Sequence, residues 1–236
     1  MIHIYPASSR YSADHGWLKS SFSFSFADYY DPDNMQFGPM RVLNDDVVAP
    51  GKGFGMHPHR EMEIVTLILG GRLEHRDSAG HRAVTTWGEI QRMSAGTGVL
   101  HSEMNPSDTE EVSLLQMWFM PAVRGLAPSY ETTKFDTEAI RNRLLPVVSH
   151  DTAGAEGTVA KVHQDMTIFL SEPEAGRTVT FYQPEGRRIF LFVIEGEIDL
   201  GNGTVLGRRD SARITETTDL TIFSEKGARF MLIDLP

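Results

Sequence analysis

Two short stretches of this chain combine residue types and spacing that suit metal chemistry: His57-Pro58-His59, and, beginning forty-two residues after His59, His101-Ser102-Glu103. Alternate side chains of an extended strand share one face. His57 and His59 therefore project together, and so do His101 and Glu103. Glu63 joins the first face if the strand runs on to it without a bulge. Two such pairs on neighbouring strands can close on one ion. Three imidazoles and a carboxylate suit a divalent first-row metal, and on an octahedral ion they leave two positions for substrate or O2. The chain has nine His and no Cys, so thiolate sites, disulfides and iron–sulfur clusters are excluded, and any metal must use nitrogen or oxygen donors. The other six histidines, His3, His15, His75, His81, His150 and His163, show no such pairing and read as ordinary surface or core residues. Phe54 and Met56, just before the first pair, are candidate pocket residues, with plain core packing as the rival reading.

The elements that must carry these residues are strands. Runs rich in Val, Ile, Thr and Phe alternate with Gly, Asp, Asn and Pro: Ile64 to Leu69, Arg72 to Arg76, Leu114 to Met120, Arg229 to Asp234. Gly201-Asn202-Gly203 reads as a hairpin turn. Phe22, Phe24 and Phe26 alternate with Ser, as in a strand with one buried face. Asp136 to Arg143 is the best helix, capped by Asp136 and stopped by Pro146. Many short strands predict a sandwich or barrel. The stretch from Leu67 to Glu74 is echoed by Phe192 to Asp199 at an offset of 125, which points to two tandem β domains joined between Arg124 and Val159. At that offset His57, His59 and Glu63 fall on Tyr182, Pro184 and Arg188, so the second domain is expected to lack a site of this kind.

Charge and hydropathy narrow the partners. With 22 Lys+Arg against 32 Asp+Glu the net charge is −10, which argues against binding a nucleic-acid backbone. The longest apolar runs are of strand length, far short of a bilayer span, and the start of the chain lacks the features of a signal peptide. A cytoplasmic protein is expected.

The motifs resemble those of a known family. Gly51-x5-His57-x-His59-x3-Glu63-x6-Gly70 is similar to the first cupin motif. Gly88-x5-Ser94-Ala95-Gly96 followed by His101-x3-Asn105 resembles the second, with Ser94 in place of the usual Pro and two extra residues before the His. Those departures, together with Asp77-Ser78-Ala79-Gly80 and the segment from Ser94 to Met104, look like pirins. The resemblance implies an all-β bicupin, two tandem cupin barrels of the double-stranded β-helix type. It places a metal-binding cupin at 1–133, a linker with a short helix at 134–160, and a C-terminal cupin without metal ligands at 161–236. It gives ligand roles to His57, His59, His101 and Glu103. Glu63 is the rival carboxylate, because many other cupins use it. Fe(II) is the expected ion, with Ni, Mn, Co, Cu or Zn as alternatives. The implied activity is that of bacterial pirin-like quercetin 2,3-dioxygenases: a flavonol ring is cleaved by O2 with loss of carbon monoxide, and Glu103 serves as general base. The alternative is a non-catalytic, metal-binding regulator of a protein partner, with no direct role for nucleic acid or membrane.

Overall fold

The computed structural model describes residues 1–155, 157–201 and 203–236. They form two compact units. One comprises Tyr11–Phe135 and His150–Gln164; the other comprises Met1–Arg10, Asp136–Ser149 and Asp165–Pro236. The boundaries at 133/134 and 160/161 do not describe these units. The first residues of the chain belong with its C-terminal half, because Ile2–Tyr5 pairs antiparallel with Ser211–Ile214.

The site-bearing unit has two antiparallel sheets. The larger runs, in spatial order, Ser129–Lys134, Glu89–Ser94, Glu63–Gly70, Val112–Phe119, Met40–Val48, Leu18–Phe22, Tyr11–Asp14. The smaller runs Gly53–His59, Val99–Met104, Arg72–Asp77, Arg82–Thr86. The chain passes repeatedly from one sheet to the other, as a double-stranded β-helix requires. Apolar residues of both sheets meet inside. Ile68, Val112 and Leu114 pack with Leu73, and Ile64 and Met93 with Val99.

The second unit repeats this plan. Its larger sheet orders Ile2–Tyr5, Ser211–Ile214, Arg188–Gly196, Ala228–Leu235, Thr167–Ser171 and Leu145–Ser149. Its smaller sheet orders Arg177–Tyr182, Asp219–Ser224, Ile198–Asp199 and Val205–Leu206. One core cluster joins them, with Leu191, Val193, Phe230 and Leu232 against Phe181, Ile198 and Ile222. The 125-residue repeat is physical. Gly71 and Gly196 occupy the same turn at φ +75 and +78, and a Cβ on either would strike a backbone carbonyl, that of Glu111 or of Gly227. Only glycine fits a left-handed turn pressed against another strand. The fold is thus all-β, with two cupin barrels.

Three expectations change. Asp136 to Arg143 is not a helix. Asp136 does cap, its carboxylate accepting from the Glu138 N–H, but only turn bonds follow (Ala139 N–H to Asp136 O, Arg141 N–H to Glu138 O). The Ile140 carbonyl and the Asn142 N–H are instead taken by Glu172 of a neighbouring segment, with Asn142 at φ +57. Eight residues are too few to outweigh those bonds, since helix nucleation is unfavourable. The Phe22–Phe26 alternation also fails as a strand: Leu18–Phe22 ends there, and Ser23, Phe24 and Ser25 are all buried. Finally, the strand that holds His57 and His59 stops at His59. Glu61 at φ +51 turns the chain, and Glu63 begins a strand of the other sheet. Of the hairpin at Gly201-Asn202-Gly203, Asn202 lies outside the described residues; its flanks pair as expected, Ile198 with Leu206 and Asp199 with Val205. No helix among the described residues is long and apolar enough to cross a membrane.

Candidate metal centre

The smaller sheet brings the two histidine motifs together. Gly53–His59 pairs antiparallel with Val99–Met104, so that His57 stands directly opposite His101 and His59 opposite Val99. A Cβ at Gly53 would strike the Glu103 carbonyl and the backbone of Met104, so a glycine is what lets these two strands approach. The ring centroids form a triangle: 4.4 Å from His57 to His101, 4.8 Å from His57 to His59, and 4.8 Å from His59 to His101. One ligand nitrogen from each of the three lies within 4.8 Å of the others.

For His57 and His101 the hydrogen bonds indicate which ring nitrogen is bare. The Gly55 carbonyl can only accept, so His57 donates from Nδ1 (2.7 Å) and its Nε2 carries a lone pair. The Asp77 carboxylate likewise accepts from His75 Nε2 (3.1 Å). With His75 accepting at Nδ1 from His101 Nδ1 (3.4 Å), His101 Nε2 is bare. The two bare nitrogens, His57 Nε2 and His101 Nε2, face each other at 3.0 Å. Burial and the neighbouring imidazoles push His59 down to about 4 and His101 down to about 3, so at neutral pH neither ring takes up a second proton. Converging imidazole nitrogens fit a divalent first-row cation.

Glu103 is buried on the same strand as His101, beyond a register shift. Its two oxygens each accept an amide N–H, from Gln91 Nε2 (2.7 Å) and Gln116 Nε2 (2.7 Å). It forms a second cluster with His101 and His75 instead of entering the His57–His59–His101 triangle. Glu63 is also buried, but it accepts from the Ser94 hydroxyl (2.7 Å) and the His163 N–H (3.3 Å), and it belongs to neither cluster.

Several participants escape a reading by spacing. His75, set aside at first, is fully buried, stacked on Tyr130 (4.1 Å between centroids, 14° between planes), and braces His101. Burial raises Asp77, but the hydrogen bonds from His75 and His81 outweigh it and hold the carboxyl below its usual value. His81 is thus part of the same chain of contacts. Gln116 left one legible trace, a polar amide within the largely apolar run Val112–Phe119; Gln91, between Ile90 and Arg92, left none.

Beside the histidines lies a cavity of about 290 Å³, lined among others by Phe22, Phe26, Phe54, Trp118, His57 and Glu103. Ligand pockets commonly span about 300–1,000 Å³, so this one sits at the small end. Phe54 both lines it and packs edge-on against Trp17 (5.4 Å), whereas Met56 is exposed and lines no part of it. Trp118 presents its edge to His59 (4.7 Å) and donates Nε1–H to Gln116 Oε1 (3.0 Å). Asp46 also lines the cavity; burial raises its carboxyl to about 7, opposed by the Ser20 hydroxyl that donates to it.

Comparison with known proteins agrees with this geometry. Residues 6–119 match the Pirin family model, and residues 147–235 match the quercetinase C-terminal cupin domain. A quercetin 2,3-dioxygenase of Escherichia coli K12 is 41% identical over 240 residues, covering 100% of this chain and 99% of its own. A pirin-like protein of Caulobacter vibrioides is 36% identical over 234 residues, covering 99% of each chain. The crystal structure of the bacterial pirin YhhW from Escherichia coli in complex with nickel(II) superimposes with a TM-score of 0.93 at 39% identity, covering 100% of this chain and 99% of that one. Motif, barrel pair and full-length likeness agree, and the chain belongs to the pirin family.

Proposed function

We propose that this protein is a metal-dependent dioxygenase that opens the ring of a flavonol with O2. The observation that carries the reading is the junction of three converging imidazoles with an aromatic-lined cavity that also holds a buried carboxylate. A relative 41% identical along the whole chain bears the name quercetin 2,3-dioxygenase. His57, His59 and His101 would hold the ion, with Glu103 as the fourth ligand or its immediate neighbour. When bound, a divalent ion, Fe(II) in this reading, with Ni, Mn, Co, Cu or Zn suited to the same donors, supplies Lewis acidity toward the flavonol hydroxyl and, where redox-active, electrons for O2 chemistry.

The chain's own residues do the rest. Phe22, Phe26, Phe54 and Trp118 offer flat apolar surfaces that hold an aromatic ring and keep water out. Glu103 takes the 3-hydroxyl proton as general base. The amides of Gln91 and Gln116 bond its oxygens and hold it oriented for that task.

The test is metal analysis of protein as purified, followed by the flavonol assay on the same sample. Loss of the visible flavonol band with matching O2 uptake is expected. Absence of turnover with every one of Fe, Ni, Mn, Co and Cu loaded would overturn the reading.

A further inference from the structure

The cavity beside the histidines has a mixed lining. Its apolar members are Leu18, Phe22, Phe26, Phe54 and Trp118. Among them runs a polar strip of Ser20, Asn44 and Asp46. Strand register builds the strip. Ser20 stands opposite Asp46 on one side, and on the other Asn44 stands opposite Gln116, whose amide holds Glu103. The strip therefore continues from Glu103 across two further strands.

Asn44 and Asp46 present acceptor oxygens in this strip. Asn44 is buried, and its side-chain carbonyl Oδ1 has no hydrogen-bond partner. A buried carbonyl without a donor destabilises the fold, and such groups are rare in native structures unless a function or a bound molecule accounts for them. Asp46, also buried, is met by the hydroxyl of Ser20. No lysine or arginine is among the described residues that line the cavity, while two carboxylates, Asp46 and Glu103, are. A neutral hydroxyl would find there an acceptor in want of a donor.

We infer that Asn44, with Asp46 beside it, is a recognition subsite for a phenolic hydroxyl of the substrate, one remote from the group presented to the histidines. The preferred ligand is then a flat, polyhydroxylated aromatic. The inference rests on the flavonol reading and adds what distinguishes one flavonol from another. A site built around a hydrogen-bonding group discriminates strongly against an analogue that lacks it, because its own polar groups are then left unpaired.

The experiment titrates the metal-loaded protein with two probes: quercetin, and 3-hydroxyflavone, which keeps the 3-hydroxyl and carbonyl but lacks the other hydroxyls. Wild type is expected to bind quercetin at least about tenfold more tightly. In Asn44→Leu, similar in size but without an acceptor, the ratio of the two affinities should fall toward one. The ligand comparison on the wild type stands whether or not the variant folds. Equal affinities in the wild type, or an unchanged ratio in Asn44→Leu, would overturn the subsite while leaving the dioxygenase reading intact. Failure of both flavonols to bind would remove that reading and the subsite together.

Discussion

At the scale of single residues, the centre depends on which nitrogen of each imidazole is bare, and neighbours that are not themselves in the triangle decide this. His75 and Asp77 hold His101 in the tautomer that leaves Nε2 free. Removing such a support commonly lowers metal affinity about 10–100-fold. His75→Leu should do so, as measured by competition against a chelator of known affinity; an unaltered affinity would show that His101 is oriented by other means. The two carboxylates should also separate. Glu103→Ala should reduce metal content clearly. Glu63→Ala should leave it nearly unchanged while lowering the melting temperature, because it strands the buried Ser94 hydroxyl and the His163 N–H. Equal metal occupancy in wild type and Glu103→Ala would refute the ligand role. His57, His59, His101 and Glu103 were legible because i, i+2 spacing on a strand is a local property. His75, Gln91 and Gln116 were not, since they meet the site only through strand pairing across 12–26 residues of sequence.

At the scale of elements, glycines at strand crossings allow the barrels to close. Gly71 and Gly196 both need a positive φ and both lie against the backbone of another strand. Either one changed to alanine adds backbone strain of about 1–3 kcal/mol plus a steric clash. Each variant should lower the midpoint of denaturant unfolding, by comparable amounts if the two turns are equivalent. A Gly71→Ala protein as stable as wild type would contradict the shared geometry. The strands around these glycines were readable from apolar runs and turn residues, but the ends of two elements were not. Phe24 and Ser25 alternate in type yet are both buried, and the Asp136 turn has a helix cap without a helix, its Ile140 carbonyl and Asn142 N–H being claimed by Glu172. In both cases tertiary contact outweighed the local pattern.

At the scale of the whole molecule, buried ionisable groups set the response to pH. His59 and His101, pushed down to about 4 and about 3, stay neutral in the folded metal-free protein, while in the unfolded chain they take up protons below about 6.5. Acidification from pH 6.5 toward 4 should therefore destabilise the metal-free protein. Asp46, raised to about 7, works the other way: the folded state keeps a proton that the unfolded state releases above about 3.8, so its effect is to favour folding as pH falls from 7 toward 4. Asp46→Asn removes that opposing contribution, so its melting temperature should fall more steeply with acid than that of wild type. A shallower fall would reverse the assignment. The sequence by itself determined the all-β class, the repeat, and two i, i+2 pairs, His57/His59 and His101/Glu103, in a chain without Cys, because composition, periodicity and i, i+2 spacing are local or near-local properties. Only the tertiary structure decided that residues 1–10 complete the C-terminal unit, that Glu63 turns away from the histidines, and that polar and aromatic side chains line one cavity beside them. Each of these depends on which distant strands become neighbours, and that is set by burying the apolar faces of two sheets against each other.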